Sequence, residues 1–156
     1  MRIADLLSPD RVAWGVEAAS KKRALETLSH LLADAGGELD PVRIFETLLG
    51  RERLGSTGLG HGVALPHGRL GHGAAVGALL TLRQGVDFDA LDEQPVDLLF
   101  GLVVPEEATE EHLQILAELA RMFSDEAFCA RLREAGSSEA LLRLVQGWPE
   151  AATGAP

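Results

Sequence analysis

His67 stands between Pro66 and Gly68, at the end of the short apolar run Val63-Ala64-Leu65. The stretch from Arg51 to Gly68 reads R-E-R-L-G-S-T-G-L-G-H-G-V-A-L-P-H-G. Proline restricts its own φ, and glycine can take a φ denied to other residues, so the imidazole is presented at the mouth of a strand with little bulk beside it. A neutral imidazole keeps a nitrogen lone pair near pH 7 and can attack phosphorus and later leave again. On residue type alone, a histidine in a turn is more often structural or merely exposed. Arg51 and His112 fit the same chemistry. A transferring phosphoryl group spreads negative charge over its equatorial oxygens, and a guanidinium aimed at them lowers the barrier. Arg51 equally suits a helix end, where a cation meets the dipole. His112 falls in the first turn of a predicted helix, where its ring can project near the helix mouth or be a plain surface group. Gly55, Ser56, Thr57, Gly58 and Gly60 offer amides and hydroxyls to phosphate oxygens, or simply form a turn.

Two other chemistries find less support in the sequence. His61, His67 and His72 cluster in sequence, but their spacings do not place ligands on one helix face. No carboxylate or cysteine lies among them, which argues against a metal centre. The glycines at 58, 60 and 62 enter a strand rather than open a helix, and no phosphate-loop lysine follows, so no nucleotide or other cofactor site is expected.

The elements that must position these residues are legible in the pattern. Val12, Trp14 and Val16 alternate as a first strand. Ser20 reads as the cap of a helix with Ala24, Leu25, Leu28, Leu31 and Leu32 inward, stopping at Gly36-Gly37. Asp40-Pro41 opens a second helix with Val42, Ile44, Phe45, Leu48 and Leu49 as its apolar stripe, which delivers Arg51 to the edge of the glycine loop. Residues Ala74–Leu82 and Val96–Val104 are nearly continuous in apolar character, as expected of strands covered on both faces. Phe88 to Pro95 is a turn-rich connection. Thr109 caps a third helix to about Ser124, with Leu113, Leu116, Ala117, Ala120 and Phe123 inward. A short helix from about Asp125 to Glu134 and a last one capped by Ser137 follow. The expected organisation is a single α/β domain over 1–147 and a disordered tail over 148–156.

The chain has 156 residues, 46% hydrophobic and 24% charged, enough for one packed core, with a formal charge of −10. An acidic chain without tyrosine lacks both the cations and the stacking platform of a nucleic-acid binder, and favours a basic protein partner. No apolar run reaches the roughly 20 residues of a membrane helix. The single cysteine, Cys129, fits a reducing cytoplasm.

The signature R-E-x-x-G-S-T-G-L-G-x-G-V-A-L-P-H-G resembles that of enzyme IIA of the bacterial phosphotransferase system, fructose/mannitol type. The runs S-K-K-R-A-L-E from Ser20 and F-D-A-L-D-x-Q-P-V-D-L-L-F from Phe88 are similar to its nitrogen-regulatory branch. The resemblance spans Ile3 to Val145. It implies a mannitol-type sandwich, a mixed sheet of about five strands with helices on both faces. It also implies a phosphoryl-transfer protein of the transferase class, with His67 as phosphorylated nucleophile, His112 as its partner histidine and Arg51 stabilising the phosphoryl charge. Ser56, Thr57 and Gly58 are candidate phosphate contacts. The donor implied is a phosphocarrier protein, HPr or its nitrogen-branch counterpart NPr, with regulatory target proteins reading the phosphorylation state. The alternatives are a IIA subunit of a sugar-uptake system and a non-catalytic interaction module. Gly60, Gly62, Val63 and Leu70 are expected to form a dry docking ring around His67.

Overall fold

The computed structural model describes residues 2–33, 39–107 and 110–149. Two 3₁₀ turns, Ile3–Leu6 and Pro9–Arg11, lead into β1 (Val12–Val16), α1 (Lys21–Ala33) and α2 (Pro41–Glu52). The short strands β2 (Gly58–Gly60), β3 (Val63–Ala64) and β4 (His67–Arg69) precede the long β5 (Val76–Val86) and β6 (Val96–Val104). Helices α3 (Glu110–Phe123), α4 (Glu126–Arg133) and α5 (Ser138–Gln146) close the described chain. The six strands form one mixed sheet in the order β1-β5-β6-β3-β2, with β4 also paired to β6. β5 runs antiparallel to β6, while β1 is parallel to β5, and β3 and β4 are parallel to β6.

The continuous apolar runs are explained by burial of both sheet faces. On one face Leu79, Leu98, Phe100 and Leu102 pack against Ile115, Leu119, Met122 and Phe123 of α3, with Leu132 and Leu141 of α4 and α5. On the other, Ala78, Leu80, Leu99 and Val103 pack against Leu25, Leu28 and Leu32 of α1 and Ile44 and Leu48 of α2. Successive residues of β6 serve opposite layers, as the pleat requires. Gly101 lets α1 approach: a Cβ there would lie 2.6 Å from Leu28 Cδ2.

The caps follow the sequence. Ser20 Oγ accepts from Arg23 N at 3.2 Å, Asp40 from Val42 N at 2.9 Å and Ser137 from Ala140 N at 3.1 Å. The expected stop at Gly36-Gly37, the cap at Thr109 and the tail residues 150–156 lie outside the described residues. Trp148, placed in the tail by sequence, packs on Phe128 with ring centroids 4.7 Å apart.

Four expectations need correction. The alternation expected of Val12, Trp14 and Val16 is broken by a bulge: Ala13 pairs with Leu80 and Val16 with Leu82, around Gly15 at φ +75°. Trp14 and Gly15 of β1 thus stand opposite Thr81 alone on β5, and Val16 joins the α1 layer rather than the face of Val12 and Trp14. The strand expected over 74–82 starts at Val76 and continues to Val86. Val42 is 61% exposed, because its position in the first turn of α2 faces away from the sheet. In α3 the buried face is His112, Ile115, Leu119, Met122 and Phe123, while Leu113 is 67% exposed. Leucine at 113 and alanines at 117 and 120 imitated an apolar stripe, whereas the buried face includes an imidazole.

Candidate functional site

The site grows from a break in the sheet edge. β3 and β4 run along the same side of β6, Ala64 pairing with Leu99 and His67 with Leu102, and Leu65-Pro66 separates them. Pro66 still accepts from Leu102 N at 2.9 Å, so the edge stays anchored. His67 Nδ1 lies 2.6 Å from the Leu65 carbonyl. A carbonyl can only accept, so Nδ1 carries the hydrogen, and in the neutral ring the lone pair belongs to Nε2. Burial of the ring is the main force pushing its pKa below the ordinary 6.5, and the Arg51 charge adds to it. The Leu65 bond and the Glu52 charge oppose them. The neutral, nucleophilic form is thereby favoured.

Gly68 is required for space rather than for an unusual φ. Its Cβ would meet Thr47 Cγ2 of α2 at 2.5 Å, so glycine lets that helix close onto the strand beside the imidazole.

His112, in the first turn of α3, is 8% exposed and meets His67 edge to face, with centroids 5.6 Å apart and planes at 72°. Neither of its ring nitrogens has a hydrogen-bond partner among the described residues. Burial, then the charges of His67 and Arg69, depress its pKa, which favours an uncharged ring. A neutral imidazole with an unused N–H is a donor waiting for an acceptor.

Arg51, in the last turn of α2, donates from Nη1 to the Gly55 carbonyl at 2.9 Å. One arm of the guanidinium therefore holds the glycine loop, and its charge is felt at His67. Ser56, Thr57 and Gly58 are engaged within that loop. Ser56 Oγ donates to Phe88 O at 2.7 Å and accepts from Gly58 N at 3.1 Å. Thr57 is buried, and its N–H (3.1 Å to Oε1) and hydroxyl both go to the Glu52 carboxylate. These three candidate phosphate donors are spent on the turn. Glu52 itself was missed by sequence reasoning. Its signal was a carboxylate in the last turn of a helix, five residues before a threonine.

The other loop histidines are set apart. His61 is exposed at φ +55°, with Nδ1 3.2 Å from Glu126 Oε1, and His72 Nδ1 lies 3.0 Å from Glu107 Oε2. Among the described residues no group of three or more His, Cys, Asp or Glu is placed to hold a metal ion. The expected docking ring is also overturned. Val63 and Leu70 belong to the two cores, and Gly62 sits under the Arg133 guanidinium, where a Cβ would lie 2.7 Å from Nη2. The large apolar side chains left exposed are Leu54, Leu59, Leu91 and Leu113, with Val42. A cleft of about 610 Å³ between α4 and α5, lined by Phe128, Arg131, Arg143 and Trp148, contains neither His67 nor His112.

Comparison with known proteins identifies the family and the fold. The family model described as phosphoenolpyruvate-dependent sugar phosphotransferase system, EIIA 2, matches residues 5–147. A nitrogen regulatory protein of Pseudomonas aeruginosa is 49% identical over 146 residues, 93% of this chain and 95% of that protein. The crystal structure of nitrogen regulatory protein IIA-Ntr from Neisseria meningitidis superposes with a TM-score of 0.86 at 42% identity, covering 92% of this chain and 98% of that one. The crystal structure of IIA mannitol from Escherichia coli gives 0.72 at 26% identity, over 89% and 98%.

Proposed function

Since the chain belongs to the EIIA 2 family of the phosphoenolpyruvate-dependent phosphotransferase system, we propose that it accepts a phosphoryl group on His67 Nε2 from a phosphohistidine carrier protein of the HPr/NPr kind and regulates target proteins by its phosphorylation state. The observation that carries this reading is the Nδ1–H···O=C bond from His67 to Leu65, which directs the lone pair to Nε2. In the transfer, the donor's P–N bond breaks and returns an electron pair to the donor imidazole, as a new P–N bond forms to Nε2. Arg51 steadies the charge on the equatorial oxygens. His112 donates an N–H to a phosphoryl oxygen and so satisfies a ring that has no hydrogen-bond partner among the described residues. No step calls for a nucleotide or a metal ion, because the donor P–N bond supplies the driving force. The setting is the cytoplasm, where the carrier is phosphorylated.

Regulation is preferred over sugar uptake because the chain is 49% identical to a nitrogen regulatory protein over nearly its full length, and 26% identical to the mannitol IIA structure. A dianion on His67 adds roughly −1.5 to −2 charge to a protein whose formal charge is −10. A target that covers the site closely without cations of its own then binds the unphosphorylated form more tightly. The test is incubation with phosphoenolpyruvate, enzyme I and a carrier: one acid-labile, base-stable phosphoryl group is expected. Full labelling of His67→Ala would overturn the assignment, and equal affinity of a captured target for both forms would favour the uptake reading.

A further inference from the structure

Glu52 is the one buried carboxylate among the described residues, its side chain only 2% exposed. Its Oε1 lies 3.0 Å from Lys21 Nζ, and its two oxygens take the amide and hydroxyl of Thr57. Lys21 in turn sits 4.6 Å above the Phe88 ring, donates to Phe88 O at 3.3 Å and lies 3.5 Å from Asp89. Ser56 donates to that same Phe88 carbonyl. One carboxylate thus ties together the start of α1, the end of α2, the glycine loop and the turn after β5.

A buried ion pair is an expensive fastener. Removing two charges from water costs several kcal/mol each before their attraction is recovered, and an apolar pair of similar volume is often as stable. Core packing alone gives no reason for a charge here. What the charge does is hold two polar groups of Thr57, which fixes the loop whose Gly55 carbonyl anchors the Arg51 guanidinium. The Glu52 charge also reaches His67, where it acts against that of Arg51.

We propose that Glu52 is a positioning residue of the relay: through Thr57 and the 53–57 loop it fixes the Arg51 guanidinium in the orientation that serves the phosphoryl group on His67. The proposal rests on the relay reading above. It separates Glu52, which acts through Arg51, from Arg51 itself, which touches the transferred group.

The experiment is a double-mutant cycle on the full chain. Glu52→Gln should lower the single-turnover rate of acceptance at least tenfold when Arg51 is present, and less than twofold in an Arg51→Ala background. Thr57→Val, which removes one hydroxyl link and keeps the shape, should show the same coupling with a loss of about threefold and serves if Glu52→Gln does not fold. Side-chain NMR of the Arg51 guanidinium supplies a readout independent of transfer, expected to be ordered in the parent and averaged in Glu52→Gln or Thr57→Val. Additive effects in the cycle, or an Arg51 signal unchanged by both variants, would overturn the proposal. A parent protein that accepts no phosphoryl group defeats the relay reading instead, and the NMR comparison still decides whether Glu52 orders Arg51.

Discussion

The chain carries two histidine pairs in opposite settings. His67 and His112 face each other, sheltered, with no carboxylate in ion-pair contact among the described residues, and burial depresses the pKa of both. His61 and His72 stand in exposed loops, each against a glutamate, Glu126 and Glu107. The second arrangement sets an imidazole against a carboxylate at the surface, and the Glu107 carboxyl is held below its usual range chiefly by the His72 contact. The first is what a nucleophile needs: one nitrogen committed to a carbonyl, the other holding its lone pair beside a ring with an unused N–H. Sequence proximity grouped His67 with His61 and His72. The fold pairs it with a residue 45 positions away instead, as the numbering of the His67–His112 contact gives.

The strongest test of that contrast is removal of each ring. His67→Ala should abolish phosphoryl acceptance, while His61→Ala and His72→Ala should retain the parent rate within about twofold, since exposed pairs contribute little. Label persisting in His67→Ala, or lost in either surface variant, would break the comparison. Next is Arg51→Ala, which should cost roughly 2.7–4 kcal/mol of barrier, the range for losing one donor aimed at transition-state charge. Quenched-flow rates equal to the parent would leave Arg51 as a loop anchor alone.

A smaller effect is expected from Gly68→Ala. The new methyl meets Thr47 Cγ2 at 2.5 Å, so strand or helix must shift. Overpacking of this kind typically costs about 1–3 kcal/mol. Thermal melts should show the loss, and Thr47→Ser, which deletes the opposing methyl, should restore most of it along with the acceptance rate. Failure of that rescue would mean that Gly68 serves backbone conformation after all.

How much was legible depends on how local the cause was. The caps at Ser20, Asp40 and Ser137 use side chains a few residues from the amides they satisfy, and the strand Val96–Val104 is apolar on both faces, so each could be read in place. The phase of α3 could not. Leu113 and Ala117 compete on hydrophobicity with His112, and the packing of Ile115, Leu119, Met122 and Phe123 against the sheet decides which face turns inward. Ser56 and Thr57 looked like phosphate donors because their partners, Phe88 and the Glu52 carboxylate, are recruited by the fold. The signature singled out His67 and Arg51, and the fold brings the Arg51 charge to bear on the His67 ring. It was silent about the carboxylate between the cation and the loop, because Glu52 acts through tertiary contacts with Lys21 and Thr57.

The last and smallest expectation is the pH response, which tests the sheltered pair without any partner protein. In the native state His67 and His112 both titrate below the ordinary value of 6.5. Between that value and the folded pKa, the unfolded chain holds protons that the folded chain does not. Stability therefore rises with pH across this window. The full contribution is present above 6.5 and is lost as pH falls through the folded values, each unit of depression being worth about 1.4 kcal/mol. His112→Phe replaces a buried ring by one that cannot take a proton, and should flatten the acid limb of the stability curve while leaving the neutral plateau in place. Ring-proton NMR titration gives the site-resolved check: His67 and His112 should both show midpoints below 6.5. A His67 midpoint at or above that value would mean that the Leu65 bond and the Glu52 charge outweigh burial and Arg51, and that the ring is protonated when the relay must begin.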